Sequence, residues 1–407
     1  MVKTHKIALK PNKAQATLLS KHCGYARVAY NHALNVFKDG LDNDEFKSLY
    51  TLKREFNAVK NEEYEWNGEL SQNASKNAIH HLDRAIKNWR NKTLPARFPT
   101  HRKRAHGQSC QADNGKGTVK VCGNAVFLPK IRWVKMAESL RFDGEIVQAT
   151  VTKTHGRWFV CLSVETGEET PAKRAGETLG IDMGIQALAT YSDGQTVENP
   201  QASLDQHYRK LRRVDKAIAR SQNVHGKNKP SNRRQRMYDQ RQRIYGRIAN
   251  IRDDVHHKAT SALVKATTVG KVIVETLNVA GMRQNKCPSR AFHRANIAGF
   301  LRMLAYKCEW SVFEKADRWF ASTKTCSDCG EKKVAMDLSE RDYVCLACGL
   351  VINRDLNAAK NLAHDDAASH AESQNGRGGA VRRTRGCKCV DACPVKRQSN
   401  QLSFAFA

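Results

Sequence analysis

At 407 residues the chain is long enough for two or three domains, because a single core stops growing at roughly 250–300 residues. Its 69 lysines and arginines against 40 acidic residues give a formal net charge of +29, spread along the whole chain. That field attracts polyanions by counterion release, so nucleic acid is the expected partner. No run of about 18 apolar residues and no apolar signal core after Met1-Val-Lys-Thr-His-Lys is present, which argues against a membrane or secreted protein and for a cytoplasmic one.

Residues 4–9 read as a short strand. Pro11-Asn12 then opens a helix in which Leu18, Leu19, Ala26, Ala29, Ala33, Val36 and Phe37 recur at helical spacing. A second helix is expected over about 71–90, with Ala78, Leu82, Ala85 and Trp89 on one side. From about 91 to 118 periodicity is lost, and the basic run Arg97-Phe-Pro-Thr-His-Arg-Lys-Arg104 reads as a surface loop. Short β-like runs follow at 118–121, 126–128, 146–152 and 158–164, separated by turns such as Gly123-Asn124 and Gly156. With the N-terminal strand these would form a small barrel that carries the helical region as an insertion; residues 166–173 read as a linker.

Residues 178–198, with Ser192-Asp193-Gly194, predict a β-hairpin whose first strand carries Asp182. Two long basic helices are expected next, marked by Leu204, Tyr208, Leu211, Val214 and Ile218 and then by Ile244, Ile248, Ile251 and Val255. Arg212, Arg213 and Arg247 are among the arginines facing outward. A solvated hairpin accounts for them, as does a surface facing nucleic acid, and the few nearby acids favour the latter. Lys271-Val-Ile-Val-Glu275 reads as a short buried strand, with a helix at about 294–313.

Cys326, Cys329, Cys345 and Cys348 form C-x2-C-x15-C-x2-C, with Gly330 and Gly349 after each pair. Each pair makes a tight knuckle presenting two thiolates, and the glycine tolerates the positive φ of the bend. Four protein ligands leave no open position, so a zinc held there is structural. Cys387, Cys389 and Cys393 sit in a basic, apolar-poor tail; incidental thiols of an unstructured tail explain them, and a second metal site would need a fourth ligand from elsewhere. Cys23, Cys161 and Cys308 lie among apolar neighbours and are expected in cores.

Three acids stand out. Asp182 lies inside an apolar run, where a charge is costly unless paired or bound to metal. Glu275 ends Val272-Ile-Val, and Asp355 heads a helix, where N-capping is the plainer alternative. Together, acids on a first strand, a later strand and a C-terminal helix can converge on two hard cations about 3.5–4 Å apart. Mg²⁺ suits such an oxygen site, and Mn²⁺ can substitute.

Gly180-Ile-Asp-Met-Gly184, Val274-Glu-Thr-Leu-Asn-Val-Ala-Gly-Met282, Ser322-Thr-Lys-Thr-Cys-Ser-Asp-Cys-Gly330 and Asn353-Arg-Asp-Leu-Asn-Ala-Ala-Lys-Asn-Leu362 resemble the RuvC motifs and zinc ribbon of TnpB, the transposon-encoded relative of type V CRISPR effectors. The likeness continues in Leu9-Lys-Pro-Asn12 with Gln15, Tyr30-Asn31, Arg97-Phe-Pro and Leu128-Pro-Lys130. It implies an α+β multidomain protein: a wedge-type β-barrel (1–15 and 119–170), a helical recognition lobe (16–118), an RNase H-like RuvC nuclease domain (171–322 and 352–370), an inserted zinc ribbon (323–351) and a basic tail (371–407). It also implies a monomeric, RNA-guided endonuclease in the prokaryotic cytosol and nucleoid. A guide RNA from the transposon end would pair with target double-stranded DNA beside a short motif, and Asp182, Glu275 and Asp355 would cut by two-metal hydrolysis. A nuclease-inactive guided repressor of the same fold, a plain zinc-ribbon RNA-binding protein and a CRISPR-associated type V effector are the rivals; the small size and short helical region favour the transposon relative over the last. The family often has Asp where this chain has Asn353, a change that spares the aligned catalytic Asp355. Gln72 and Asn73, at a helix start in the recognition lobe, are candidates for base contacts because amides pair with adenine edges; water-facing polar residues are the plainer reading.

Overall fold

The computed structural model describes residues 1–115, 117–169, 171–226, 230–266, 268–277, 289–337 and 340–364. The expected basic tail with Cys387, Cys389 and Cys393 lies outside them.

The first part runs β1 (Val2–Ala8), α1 (Lys13–Asp42), α2 (Leu49–Glu63), α3 (Gln72–Arg90), β2 (Gln108–Asp113), β3 (Lys120–Cys122), β4 (Ala125–Leu128), β5 (Arg132–Lys135), β6 (Glu145–Thr154) and β7 (Arg157–Glu165). The N-terminal strand joins the later ones: one antiparallel sheet has the order β1-β7-β6-β2, and β3-β4-β5 form another. A bridge between Leu9 and Met136 ties the two sheets together. Asn12 starts α1 through a reciprocal capping box with Gln15, whose side-chain amide also donates to the Trp133 carbonyl at 2.7 Å. That gives the Pro-Asn…Gln pattern a physical role, because it sets the angle at which α1 leaves the sheets. Leu19, Tyr25, Ala29, Ala33 and Phe37 of α1, Leu82 of α3, and Val126, Val160 and Leu162 of the sheets share one apolar cluster. Helices and sheets therefore fold around a common core.

The second part contains β8 (Glu177–Asp182), β9 (Ala187–Tyr191), β10 (Thr196–Glu198), α4 (Gln201–His225), α5 (Asn232–Lys265), β11 (Val269–Val274), α6 (Ser289–Ala295), α7 (Ile297–Lys307) and β12 (Val312–Lys315). Its sheet has the order β10-β9-β8-β11-β12, antiparallel from β8 to β10 and parallel across β8, β11 and β12. The two-stranded β13 (Asp342–Val344) and β14 (Val351–Asn353) precede α8 (Arg354–Ala363), which packs against β8, β9 and β11.

Four expectations change. The 178–198 hairpin is three strands, with Asp193-Gly194 turning β9 into β10 rather than closing on the strand of Asp182. The unpatterned 91–118 stretch contains β2, an edge strand paired to β6. Helix α2 was not foreseen because it buries only Leu52 and Phe56. The 294–313 helix breaks at Asn296, which is left-handed at φ 51°, and stops at Lys307; Lys173 then donates to the carbonyls of Cys308, Glu309 and Ser311 at 2.9–3.1 Å. The chain turns there and returns as β12.

Candidate active site

Strand register brings two of the three acids together. The parallel ladder of β8 and β11 matches Ile181 with Val274, so the next residue on each strand, Asp182 and Glu275, leaves the carboxyl end of the sheet side by side. Alternation decides which way they face. Ile273, two positions before Glu275, clusters with Ala316 and Leu362 of α8. Gly180, two positions before Asp182, lies so close beneath α8 that a Cβ there would overlap the backbone of Ala359, Leu362 and Ala363. Both acids thus point to the α8 face. Asp355 precedes Leu362 by two helical turns and shares its side of the helix, which carries it to the same end of the sheet.

The result is a cleft of about 630 Å³ lined by Asp182, Glu275 and Asp355, with Lys324, Arg341 and Arg354 on its walls. Burial first, then the charges of Glu275 and Asp355, push Asp182 up to about 8, against the opposing pull of Arg354 and the Met183 backbone. Burial also raises Glu275, which is hydrogen-bonded to Asp182. Arg354 stands 3.6 Å from Asp355. Asn353, not Asp355, caps α8: its side chain accepts from the backbone N–H groups of Asp355 (3.0 Å) and Leu356 (3.2 Å). The capping alternative for Asp355 therefore falls, and its carboxylate is left to the cleft. Three hard oxygen donors facing one cleft suit a divalent cation, with the neighbouring lysine and arginines left to the cleft walls.

The cysteine segment forms a second centre beside the first. The sulfurs of Cys326, Cys329, Cys345 and Cys348 all lie within 4.8 Å of one another; Cys326–Cys348 is 3.7 Å and Cys329–Cys345 is 3.5 Å. A tetrahedral Zn–S₄ site with bonds near 2.3 Å has edges of about 3.8 Å, whereas a disulfide needs about 2.05 Å. The donors fit zinc. Gly330 and Gly349 have φ of 76° and 74°, as the knuckles require. Backbone N–H groups of Cys348 and Ala347 are the main forces drawing the Cys345 thiol down to about 7. Among the described residues this is the one group whose ligand atoms all lie within 4.8 Å, so the carboxylates form a looser set.

Sequence reasoning missed what joins the two centres. Asn357 Oδ1 accepts from the Ser327 N–H at 2.9 Å and its Nδ2 donates to the Thr325 carbonyl at 2.7 Å. One turn on, Asn361 Nδ2 donates to the carbonyls of Ser322 (2.7 Å) and Thr325 (2.6 Å). Both asparagines are buried. The first knuckle is thus fastened to the helix of Asp355, and residues of the same segment, Lys324 and Arg341, reach the cleft. The i, i+4 asparagines in an otherwise alanine-rich helix were the available signal. Gln72, Asn73, Arg212, Arg213 and Arg247 do not line the acid cleft. Gln72 Oε1 accepts from Lys60 at 3.1 Å, while the three arginines lie exposed on α4 and α5.

Comparison with known proteins covers the segments that carry both centres. Residues 161–286 match the family model OrfB_IS605, described as "Probable transposase"; residues 298–362 match the Cas12f1-like TNB domain. Residues 1–44 match a helix-turn-helix model of the OrfB_IS605 group, although here they form β1 and one long helix. A provisionally named RNA-guided DNA endonuclease of Streptomyces pristinaespiralis is 31% identical, with 86% of each chain covered. The similarly named InsQ of Escherichia coli K12 is 27% identical, covering 90% of this chain and 92% of its own. The overall fold is similar to that in a Cas12f1–guide RNA–target DNA complex, with a TM-score of 0.50, 12% identity, and 90% of this chain and 99% of that one covered. With motifs, acid register and a relative of this similarity along most of its length in agreement, the chain belongs to the TnpB family.

Proposed function

We propose that the chain is an RNA-guided DNA endonuclease that hydrolyses double-stranded target DNA beside a short adjacent motif, using a guide RNA from the transposon end. The observation that carries the reading is the meeting of Asp182, Glu275 and Asp355 at one end of a mixed sheet, at the mouth of a cleft walled by cations. On this reading the second part is an RNase H-like RuvC domain, Cys326, Cys329, Cys345 and Cys348 hold a structural Zn²⁺ in an inserted ribbon, and the first part combines wedge and recognition elements. The three carboxylates would hold Mg²⁺, or Mn²⁺, which when bound supplies an activated water and offsets charge on the leaving oxygen. Lys324, Arg341 and Arg354 would orient the phosphodiester against the acids. Burial and the neighbouring acids favour the protonated form of Asp182 in the metal-free chain, so a cation must displace that proton and would bind more tightly as pH rises. Gln72 and Asn73 would face the adjacent motif, and Arg212, Arg213 and Arg247 the nucleic-acid backbone. Sequencing the RNA that co-purifies with the chain expressed alongside its native flanking DNA tests the proposal. One abundant species that programs cleavage of a matching duplex is expected, whereas heterogeneous RNA with no programmed cutting refutes guidance.

A further inference from the structure

Two features of the sequence, Tyr30-Asn31 and the basic run from Arg97 to Arg104, have no part in the acid cleft, yet the fold brings them together. Asn31 Oδ1 accepts from the Arg102 N–H at 2.8 Å, and Asn31 Nδ2 donates to the Arg102 carbonyl at 3.0 Å. One turn further along α1, Asn35 Oδ1 meets His101 Nε2 at 2.6 Å, and the Arg102 guanidinium lies 3.8 Å from the centre of the Tyr30 ring. The expected surface loop is therefore a strap bound along α1.

The strap holds Arg102 and Lys103 on the wall of a cavity of about 390 Å³ between α1, α3 and the paired ends of β2 and β6, with Arg27 and Lys153 on its other sides. No carboxylate lines this cavity, and among the described residues none of the four cations has an acidic partner. Aromatic faces position two of them instead: Tyr30 under Arg102, and Trp158 under Lys153 at 5.4 Å. Rings steady a cation without neutralising it. Converging cations repel one another until an anion joins them, and the hydroxyl side chains of Ser109 and Thr152 add neutral donors to the same wall.

We propose that this cavity is a phosphate-binding site for a nucleic-acid backbone, with the Arg102 fork and the Lys153 ammonium as its main ligands. It rests on the nucleic-acid reading above, and the phosphate comes from the guide RNA or from the target DNA. The test is the salt dependence of binding by full-length wild type, Arg102→Gln and Lys153→Gln, first titrated with guide RNA and then, loaded with guide, with a matched duplex. Each lost phosphate contact removes about 0.7–0.9 from the slope of log K against log salt and weakens binding by about four- to sixfold near physiological salt. A flatter slope in the first arm assigns the phosphate to RNA, and one in the second arm alone assigns it to DNA. Because Lys153→Gln leaves the Asn31–Arg102 clamp intact, it keeps the test meaningful if Arg102→Gln lowers the melting temperature. Wild-type slopes in both arms for a folded Lys153→Gln chain overturn the site. A wild-type chain that binds no RNA overturns the guided-nuclease reading as well.

Discussion

Replacing Asp182 by asparagine removes a titratable group from the acid cleft while keeping its shape. In the metal-free chain Asp182 titrates at about 8, whereas in the unfolded chain it titrates near an ordinary value of about 4. Between those values the native state holds one more proton than the unfolded state, so stability falls as pH rises through the window. The contribution is whole below about pH 4 and gone above about pH 8. A gap of about 4 units at roughly 1.4 kcal/mol each approaches 6 kcal/mol; the cleft opens to water, which screens part of this, so about 2–4 kcal/mol is expected between pH 5 and 8. Urea unfolding in magnesium-free buffer, with zinc left in place, measures it. Groups remote from the cleft titrate alike in both proteins and cancel in the difference between wild type and Asp182→Asn, which leaves the coupled response of the acid cluster. The variant should gain on wild type as pH rises, and Mg²⁺ added at pH 8 should stabilise the wild type far more. A difference that does not change with pH refutes the electrostatic account.

Gly180→Ala forces a Cβ into the backbone of α8 and should cost about 2–3 kcal/mol. Cleavage should fall at least tenfold, while Gly68→Ala, with nothing within 4 Å, leaves melting and cleavage unchanged. Asn357→Ala leaves the Ser327 N–H without its partner and the Thr325 carbonyl with Asn361 alone, for about 1–3 kcal/mol; zinc content should stay at one equivalent while the Ser327 amide exchanges faster and cleavage needs more Mg²⁺. Cys345→Ser should lose the zinc by elemental analysis and lower the melting temperature sharply, since structural zinc contributes directly to folding.

The acids could be read from the sequence because each breaks a local rule: Asp182 and Glu275 end apolar strands, and neither position tolerates an idle charge. Their joint role came from motif likeness, and the register that makes it physical, Ile181 opposite Val274, is a long-range pairing that no local pattern encodes. The cysteine spacing was legible because its chemistry is local. Strand β2 was not, since Gln108, Ser109, Gln111 and Asp113 are polar and its pairing to β6 is completed by α3, where Asn77 reaches Asp113 at 3.0 Å. Two cations of the cleft were hidden for a related reason: Lys324 and Arg341 are two among many, and their segment is fastened at its first knuckle to the helix of Asp355 by Asn357 and Asn361.

Cleavage of a guide-matched DNA duplex in Mg²⁺ by wild type, Asp182→Ala, Glu275→Ala and Asp355→Ala, with guide-RNA binding measured on the same preparations, tests the central claim most directly. The account predicts cutting by wild type alone and equal RNA binding by all four. Undiminished cutting by any one of the three variants contradicts it.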